Sequence, residues 1–126
     1  MTNSTQPKTI LVVDDDPTEI KLLSGLLATH GFKIISASDA PEGLQMAIQQ
    51  FPHLIILDVM MPIINGYNFC HLLKSQQKHK HIPIILLTSR GEEKDFEIGK
   101  QMGADVYLTK PVNTEELLKA VNRLLI

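Results

Sequence analysis

Short, almost wholly apolar runs recur along the chain: Ile10-Leu11-Val12-Val13, Leu54-Ile55-Ile56-Leu57 and Ile84-Ile85-Leu86-Leu87. Runs this short, rich in Ile, Val and Leu and bounded by turn residues, predict strands buried on both faces of a parallel sheet. They place strands at residues 9–14, 54–58 and 84–88. Weaker runs at 32–37 and 106–109 complete a set of five. The stretch at 32–37 is less apolar, which suits the edge of a sheet.

Between these runs the period changes to that of a helix. Asp16-Pro17-Thr18-Glu19 reads as a helix start, with Asp at the N-cap, Pro at N1 and Glu at N3. Ile20, Leu23 and Leu27 then share one face, with Leu22 and Leu26 beside them, and Gly31 suits the position just past the end. Asp39-Ala40-Pro41-Glu42 repeats the start signal. Leu44, Ala47, Ile48 and Phe51 follow at the spacing of a buried stripe, and Pro52 ends that helix. A loop at 59–66 leads to a helix with Phe69, Leu72 and Leu73 inward, and the polar, basic stretch at 74–81 reads as a surface loop. The helix expected at about 92–102 has only a weak stripe, Phe96, Ile98, Gly99 and Met102, before Gly103 stops it. Asn113-Thr114-Glu115-Glu116 opens the last helix, with Leu117, Val121, Leu124 and Leu125 inward. Five strands alternating with five helices predict an α/β fold, a doubly wound parallel sheet covered on both faces.

Composition narrows the class. A chain of 126 residues, 44% hydrophobic and 21% charged, suits one globular domain with one core. The formal net charge of −2 provides no basic field for nucleic acid. A single cysteine, Cys70, excludes an internal disulfide and suits a reducing cytoplasm. No apolar run approaches the ~20 residues that cross a bilayer. Residues 1–7 are polar and lack an apolar signal core, so a short disordered lead-in is expected before a domain at 8–126. The expectation is a stand-alone cytoplasmic domain, with no effector domain after it, no nucleic-acid partner and no membrane insertion.

Chemistry concentrates at the ends of the predicted strands. Asp14, Asp15 and Asp16 close one run and Asp58 another; Thr88 and Lys110 close two more. Parallel strands deliver these side chains to one edge, where open α/β sheets bind ligands. Carboxylates crowded at the end of buried strands repel one another unless a counter-ion is present, and a hard divalent cation such as Mg²⁺ fits them. An EF-hand calcium loop is excluded, because its Gly and distal Glu are missing. Asp16 is fully explained as an N-cap. Asp58 could be a turn residue, but beside the acidic pair it becomes a candidate nucleophile, since an ionised carboxylate needs no general base. Lys110 could stabilise transferred oxygens as a point charge, or be a surface lysine. Thr88 could bond a phosphoryl oxygen, or cap the next helix.

Other candidates carry less. His79-Lys80-His81 is expected to be solvated, with no third metal ligand near in sequence. His30 precedes Gly31 at a helix C-terminus, where partial positive charge is favourable. Cys70 is expected to be inert.

The chain resembles the receiver domain of two-component response regulators, of the chemotaxis-regulator type. The resemblance rests on Val12-Val13-Asp14-Asp15-Asp16-Pro17, Leu57-Asp58-Val59-Met60-Met61-Pro62, Asn65-Gly66, Leu87-Thr88-Ser89, Gly103-Ala104-Asp105 and Lys110-Pro111, and spans about residues 8–126. It implies the flavodoxin-like strand order 2-1-3-4-5. It also implies that Asp58 accepts a phosphoryl group from a sensor histidine kinase or histidine phosphotransfer protein. Metal ligands would be Asp15, Asp14 (often through water), Asp58 and the backbone carbonyl of Met60, around Mg²⁺. Thr88 would be the switch hydroxyl, Lys110 the phosphoryl-contacting lysine and Tyr107 the aromatic that changes rotamer, against the plainer role of an edge-strand aromatic half-covered by a helix. Met60 and Arg90 would flank the water approach and tune the lifetime of the phosphorylated form. The surface of the fourth helix, fifth strand and fifth helix would control a downstream protein target.

Some residues depart from the family pattern. Asn65 replaces a common Asp, Val112 a common Phe, and Val106 an acidic residue used by transcription-factor receivers to dimerise. A rival enzyme reading exists: Asp14-x-Asp16-x-Thr18 spells the D-x-D-x-T motif of haloacid-dehalogenase-type phosphatases, with Asp14 as nucleophile. No acidic pair closes a strand after Lys110, which argues against it. A degenerate receiver used as a scaffold is disfavoured because all five site residues are present.

Overall fold

The computed structural model describes residues 6–89 and 93–126. Along them run β1 (Thr9–Val13), α1 (Pro17–Thr29), β2 (Lys33–Ala37), α2 (Ala40–Gln50), β3 (Leu54–Asp58), α3 (Gly66–Lys74), β4 (Ile84–Thr88), α4 (Glu93–Gln101), β5 (Val106–Thr109) and α5 (Thr114–Leu124). Every strand pairing is parallel, and the order across the sheet is β2-β1-β3-β4-β5. The alternating pattern predicts the doubly wound parallel sheet, and the flavodoxin-like order is the one that the family resemblance implies.

Alternation across the pleat divides the strands between two cores. Leu11, Val13, Ile55, Leu57, Ile84 and Leu86 pack with Ala40 and Ala47 of α2 and Phe69, Cys70 and Leu73 of α3. Ile10, Val12, Leu54, Ile56, Ile85 and Leu87 pack with Leu23 and Leu27 of α1 and Leu117, Ala120 and Val121 of α5. A strand covered on both faces must be apolar at every position. All residues of β3 and β4 are buried accordingly. The outer strands differ: β2 exposes Lys33 and Ser36, and β5 exposes Thr109.

Caps turn the chain from strand to helix. Asp16 accepts a hydrogen bond from the Thr18 amide at 2.9 Å, Asp39 from Glu42 at 2.7 Å, Asn65 from Asn68 at 2.9 Å and Asn113 from Glu116 at 2.9 Å. Each side chain satisfies an amide that the first turn leaves without a partner.

Several expected core positions are corrected. Helix α3 buries Gly66, Phe69, Cys70 and Leu73, while Leu72 is 42% exposed. The buried arc is centred between Phe69 and Cys70, and Leu72 lies about a third of a turn from that centre. Leu22 of α1 is also turned outward. Helix α2 approaches the sheet through Ala40, Gly43 and Ala47, so closely that a Cβ at Gly43 would sit 2.7 Å from a Val13 methyl. Leu44 and Ile48 therefore flank the contact, half-buried.

Phe51 is not the last member of that stripe. It caps α2 in the left-handed region (φ 47°) and is half-exposed. Its ring stacks on His79, with centroids 4.4 Å apart. His79 is therefore not solvated, as expected from its basic neighbours, but only 5% exposed. Its Nε2–H donates to the Ile48 carbonyl at 2.9 Å, because a carbonyl can only accept.

Two glycines should respond oppositely to alanine. Nothing lies within 4 Å of a Cβ at Gly25 in α1, so Gly25→Ala should stabilise by about 0.5–1 kcal/mol. A Cβ at Gly66 would lie 2.7 Å from Val59 Cα and 2.8 Å from the Asp58 carbonyl oxygen, backbone atoms that cannot swing aside. Gly66→Ala should destabilise by roughly 2 kcal/mol. Urea unfolding followed by circular dichroism checks both signs.

Candidate functional site

The strand register carries the chemistry to one edge. Val13 pairs with Leu57, Asp58 with Leu87 and Thr88 with Thr109. The ladder runs on through Asp14 N–H to Ala37 O (3.2 Å), Val59 N–H to Leu87 O (2.9 Å) and Lys110 N–H to Thr88 O (2.7 Å). Asp14, Asp58, Thr88 and Lys110 thereby line the carboxyl edge of the sheet. Gly66 closes the loop onto it, its amide donating to the Val59 carbonyl at 2.9 Å.

Asp14, Asp15 and Asp58 each place a carboxylate oxygen within 4.8 Å of the others. Asp14 and Asp58 are buried, at 2% and 7% exposure, while Asp15 is exposed. Lys110 Nζ lies 3.1 Å from Asp14 Oδ2 and 3.5 Å from Asp58 Oδ1. The other Asp14 oxygen accepts the Asp16 amide at 3.0 Å, and Asp58 Oδ1 is 3.4 Å from the Met60 amide. Lys110 thus faces the two buried carboxylates of the three-carboxylate cluster.

That imbalance is visible in the acid–base properties. Burial pushes the Asp58 carboxyl above its ordinary range and the Asp14 charge pushes it further, with Lys110 and the Met60 amide only partly offsetting them. Burial by itself would lower the Lys110 ammonium, but its hydrogen bond to Asp14 and the charge of Asp58 overcome this and raise it. Lys110 is therefore held charged against the two buried carboxylates. The oxygen-only donor set, partly buried and short of positive charge, fits a hard divalent cation.

The remaining candidates fall into place around this centre. Thr88 is fully buried at the end of β4. Alternation puts it on the sheet face of Leu86 and Tyr107, the face opposite Leu87. Tyr107 is half-buried on the outer strand β5, as the plainer expectation had it, with its hydroxyl 2.8 Å from that of Tyr67. Met60 is half-exposed beside the carboxylates. Arg90 lies outside the described residues. Asp16 is directed to the start of α1, which accounts for the Asp14-x-Asp16-x-Thr18 spelling without a phosphatase. Cys70 is buried, and burial raises its thiol to about 11, consistent with an inert side chain. Sequence patterns did not single out Tyr67 or treat Gly99 as more than a weak core position. Nothing in their spacing indicates that both meet Tyr107.

A family model described as the response regulator receiver domain matches residues 10–122. The chain belongs to the response regulator receiver family. Protein PilH of Pseudomonas aeruginosa is 39% identical over 116 residues, covering 92% of this chain and 96% of PilH. The DNA-binding dual master transcriptional regulator RpaA of Synechocystis is 40% identical over 92% of this chain, which spans only 48% of RpaA. Among solved structures, a response regulator from Chloroflexus aurantiacus superposes with a TM-score of 0.90 at 34% identity, over 94% of this chain and 98% of that one. Chemotaxis protein CheY4 of Vibrio cholerae gives 0.88 at 34% identity, over 94% and 99%. The protein is thus a receiver of the two-component type. Among its described residues, no helix is long and apolar enough to cross a membrane.

The raised Asp58 carboxyl makes a stability prediction. An acid whose folded pKa is raised destabilises the fold when ionised, and the penalty is relieved as pH falls through that raised value toward the unfolded one. In metal-free buffer at pH 7, Asp58→Asn should be more stable than wild type by roughly 1 kcal/mol. The advantage should shrink as pH falls toward the ordinary carboxylate range. Urea titrations at two pH values measure it, and equal stabilities at pH 7 would refute the repulsion.

Proposed function

We propose that this receiver is a phosphorylation-dependent switch in which Asp58 accepts a phosphoryl group from the phosphohistidine of a sensor histidine kinase or histidine phosphotransfer protein. The observation that carries the proposal is the meeting of Asp14, Asp15 and Asp58 with Lys110 at the carboxyl edge of the sheet. We take residues 8–126 as the working unit and the cytoplasm as its compartment. It acts as a phosphoacceptor switch rather than an enzyme with a released product of its own.

Asp14, Asp15, Asp58 and the backbone carbonyl of Met60 would hold Mg²⁺. Bound there, the ion supplies charge neutralisation between the carboxylates and the incoming phosphoryl group. Asp58 is the nucleophile: its carboxylate oxygen forms the new bond to phosphorus as the bond to the donor imidazole nitrogen breaks. Asp14 is the poorer nucleophile, because one of its oxygens takes the Asp16 amide and the other the Lys110 ammonium. Lys110, already poised between the two buried carboxylates, moves its charge to the transferred oxygens. Thr88, buried at the adjacent strand end, donates its hydroxyl to one of them. The pull on Thr88 passes to Tyr107 on the same sheet face and changes the α4–β5–α5 surface, which controls a downstream protein. This is a shift between two pre-existing states.

Incubation with phosphoramidate and Mg²⁺, followed by intact-mass measurement, should show one phosphoryl adduct. Omitting Mg²⁺ or substituting Asp58→Asn should abolish it. A full adduct on Asp58→Asn would sink the assignment.

The phosphorylated form should also persist for minutes or more. Met60 is apolar and half-exposed beside the acceptor, and cannot orient an attacking water. Arg90, the second residue of this pair, would pair with the phosphoryl oxygens and obstruct the approach further. Decay after donor removal should be faster in Met60→Asn combined with Arg90→Glu. Equal decay in the two proteins would mean that these side chains do not shield the site.

A further inference from the structure

Three aromatic side chains from three elements meet at β5. The Tyr107 hydroxyl lies 2.8 Å from that of Tyr67 in the first turn of α3. The two rings are near-parallel, with centroids 6.4 Å apart and 17° between planes. Phe96 of α4 meets Tyr107 edge-on, at 4.6 Å and 77°. Beneath the Tyr107 ring lies Gly99: a Cβ there would be 2.7 Å from Cδ2 and 3.0 Å from Cε2 of the tyrosine, and 3.4 Å from Leu86 Cδ1. Glycine is a poor helix former compared with alanine, and α4 is only nine residues long. The ring occupying the place of a side chain gives this glycine a physical reason.

We propose that Tyr67 and Gly99 are positioning residues that together hold Tyr107 in its resting setting and so set the threshold of the switch. The inference rests on, and deepens, the reading of Asp58 as phosphoacceptor and Tyr107 as the responding aromatic. The two holds differ in kind. Gly99 is a steric slot that lets the ring lie against the helix backbone. Tyr67 is a directional bond that the ring must give up in order to leave. Tyr107 pairs with Leu86, two residues before Thr88 on the same face, so the held ring lies on the sheet face that carries the switch hydroxyl. Thr88 cannot draw Tyr107 after it without breaking the hydroxyl pair. Weakening either hold populates the activated setting before any phosphoryl group arrives. Coupling between the two events is reciprocal, so the same change favours phosphorylation.

The chain contains two tyrosines, which makes the test direct. Protein labelled with 3-fluorotyrosine gives two ¹⁹F resonances, and Tyr67→Phe leaves only that of Tyr107. Tyr67→Phe keeps the ring and removes the bond; Gly99→Ala keeps both hydroxyls and fills the slot. In Mg²⁺ without a donor, the Tyr107 resonance of each variant should lie part-way toward the position that wild type reaches with phosphoramidate. Phosphoramidate should phosphorylate both variants about threefold faster or more. Unchanged or slower rates in both variants overturn the proposal. So does a wild type that takes the adduct on Asp58 without moving its Tyr107 resonance. If wild type takes no adduct on Asp58, the phosphoacceptor reading has failed instead. The resting spectra then decide alone, and an unmoved Tyr107 resonance in Gly99→Ala overturns the slot.

Discussion

Everything at the working edge of this protein follows from carboxylates held too close together. Asp14 and Asp58 are buried side by side at the ends of neighbouring strands, with Asp15 within reach and one lysine between the two buried groups. A fold has little reason to bury like charges for stability, since desolvation and repulsion both oppose it. The unfavourable charge is a standing demand for a cation. Lys110 answers part of it and is itself raised by the contact. The buried negative charge left between Asp14 and Asp58 is what fits this edge to a hard divalent cation.

Holding such a site requires a rigid frame, and the parallel sheet supplies it. The ladder bonds continue past the formal ends of β1, β3 and β5, so the backbones of Asp14, Asp58, Thr88 and Lys110 are tied into the sheet. Caps on α1 and α3 then turn the chain away within a few residues. Gly66 allows the β3–α3 loop to close against Asp58 and Val59 with no side chain in the way. The two cores beneath contribute the stiffness, the apolar residues of β1, β3 and β4 packing against one layer of helices or the other.

The outer strand β5 is where that rigidity is relaxed. Its residues before Thr109 are only half-buried, and it is bordered by α4, whose large apolar residues Phe96 and Ile98 are partly exposed. Tyr107 meets Phe96 edge-on there, pairs its hydroxyl with that of Tyr67 and lies over Gly99.

Much of this was legible before any coordinate. The apolar runs, the caps at Asp16 and Asp39 and the helix breakers are local signals, because strand burial, amide capping and backbone restriction act within a few residues. They determined the order of the elements, the parallel sheet and the arrival of Asp14, Asp58, Thr88 and Lys110 at one edge. Long-range geometry decided the rest. Which face of α3 turns inward, and hence Cys70 over Leu72, depends on how the helix sits on its neighbours. His79 is buried because Phe51 takes a left-handed cap and stacks on it, a contact between residues 28 apart in sequence. The Tyr67–Tyr107 bond spans 40 positions. No periodicity encodes such meetings, since they arise only when separately formed elements dock.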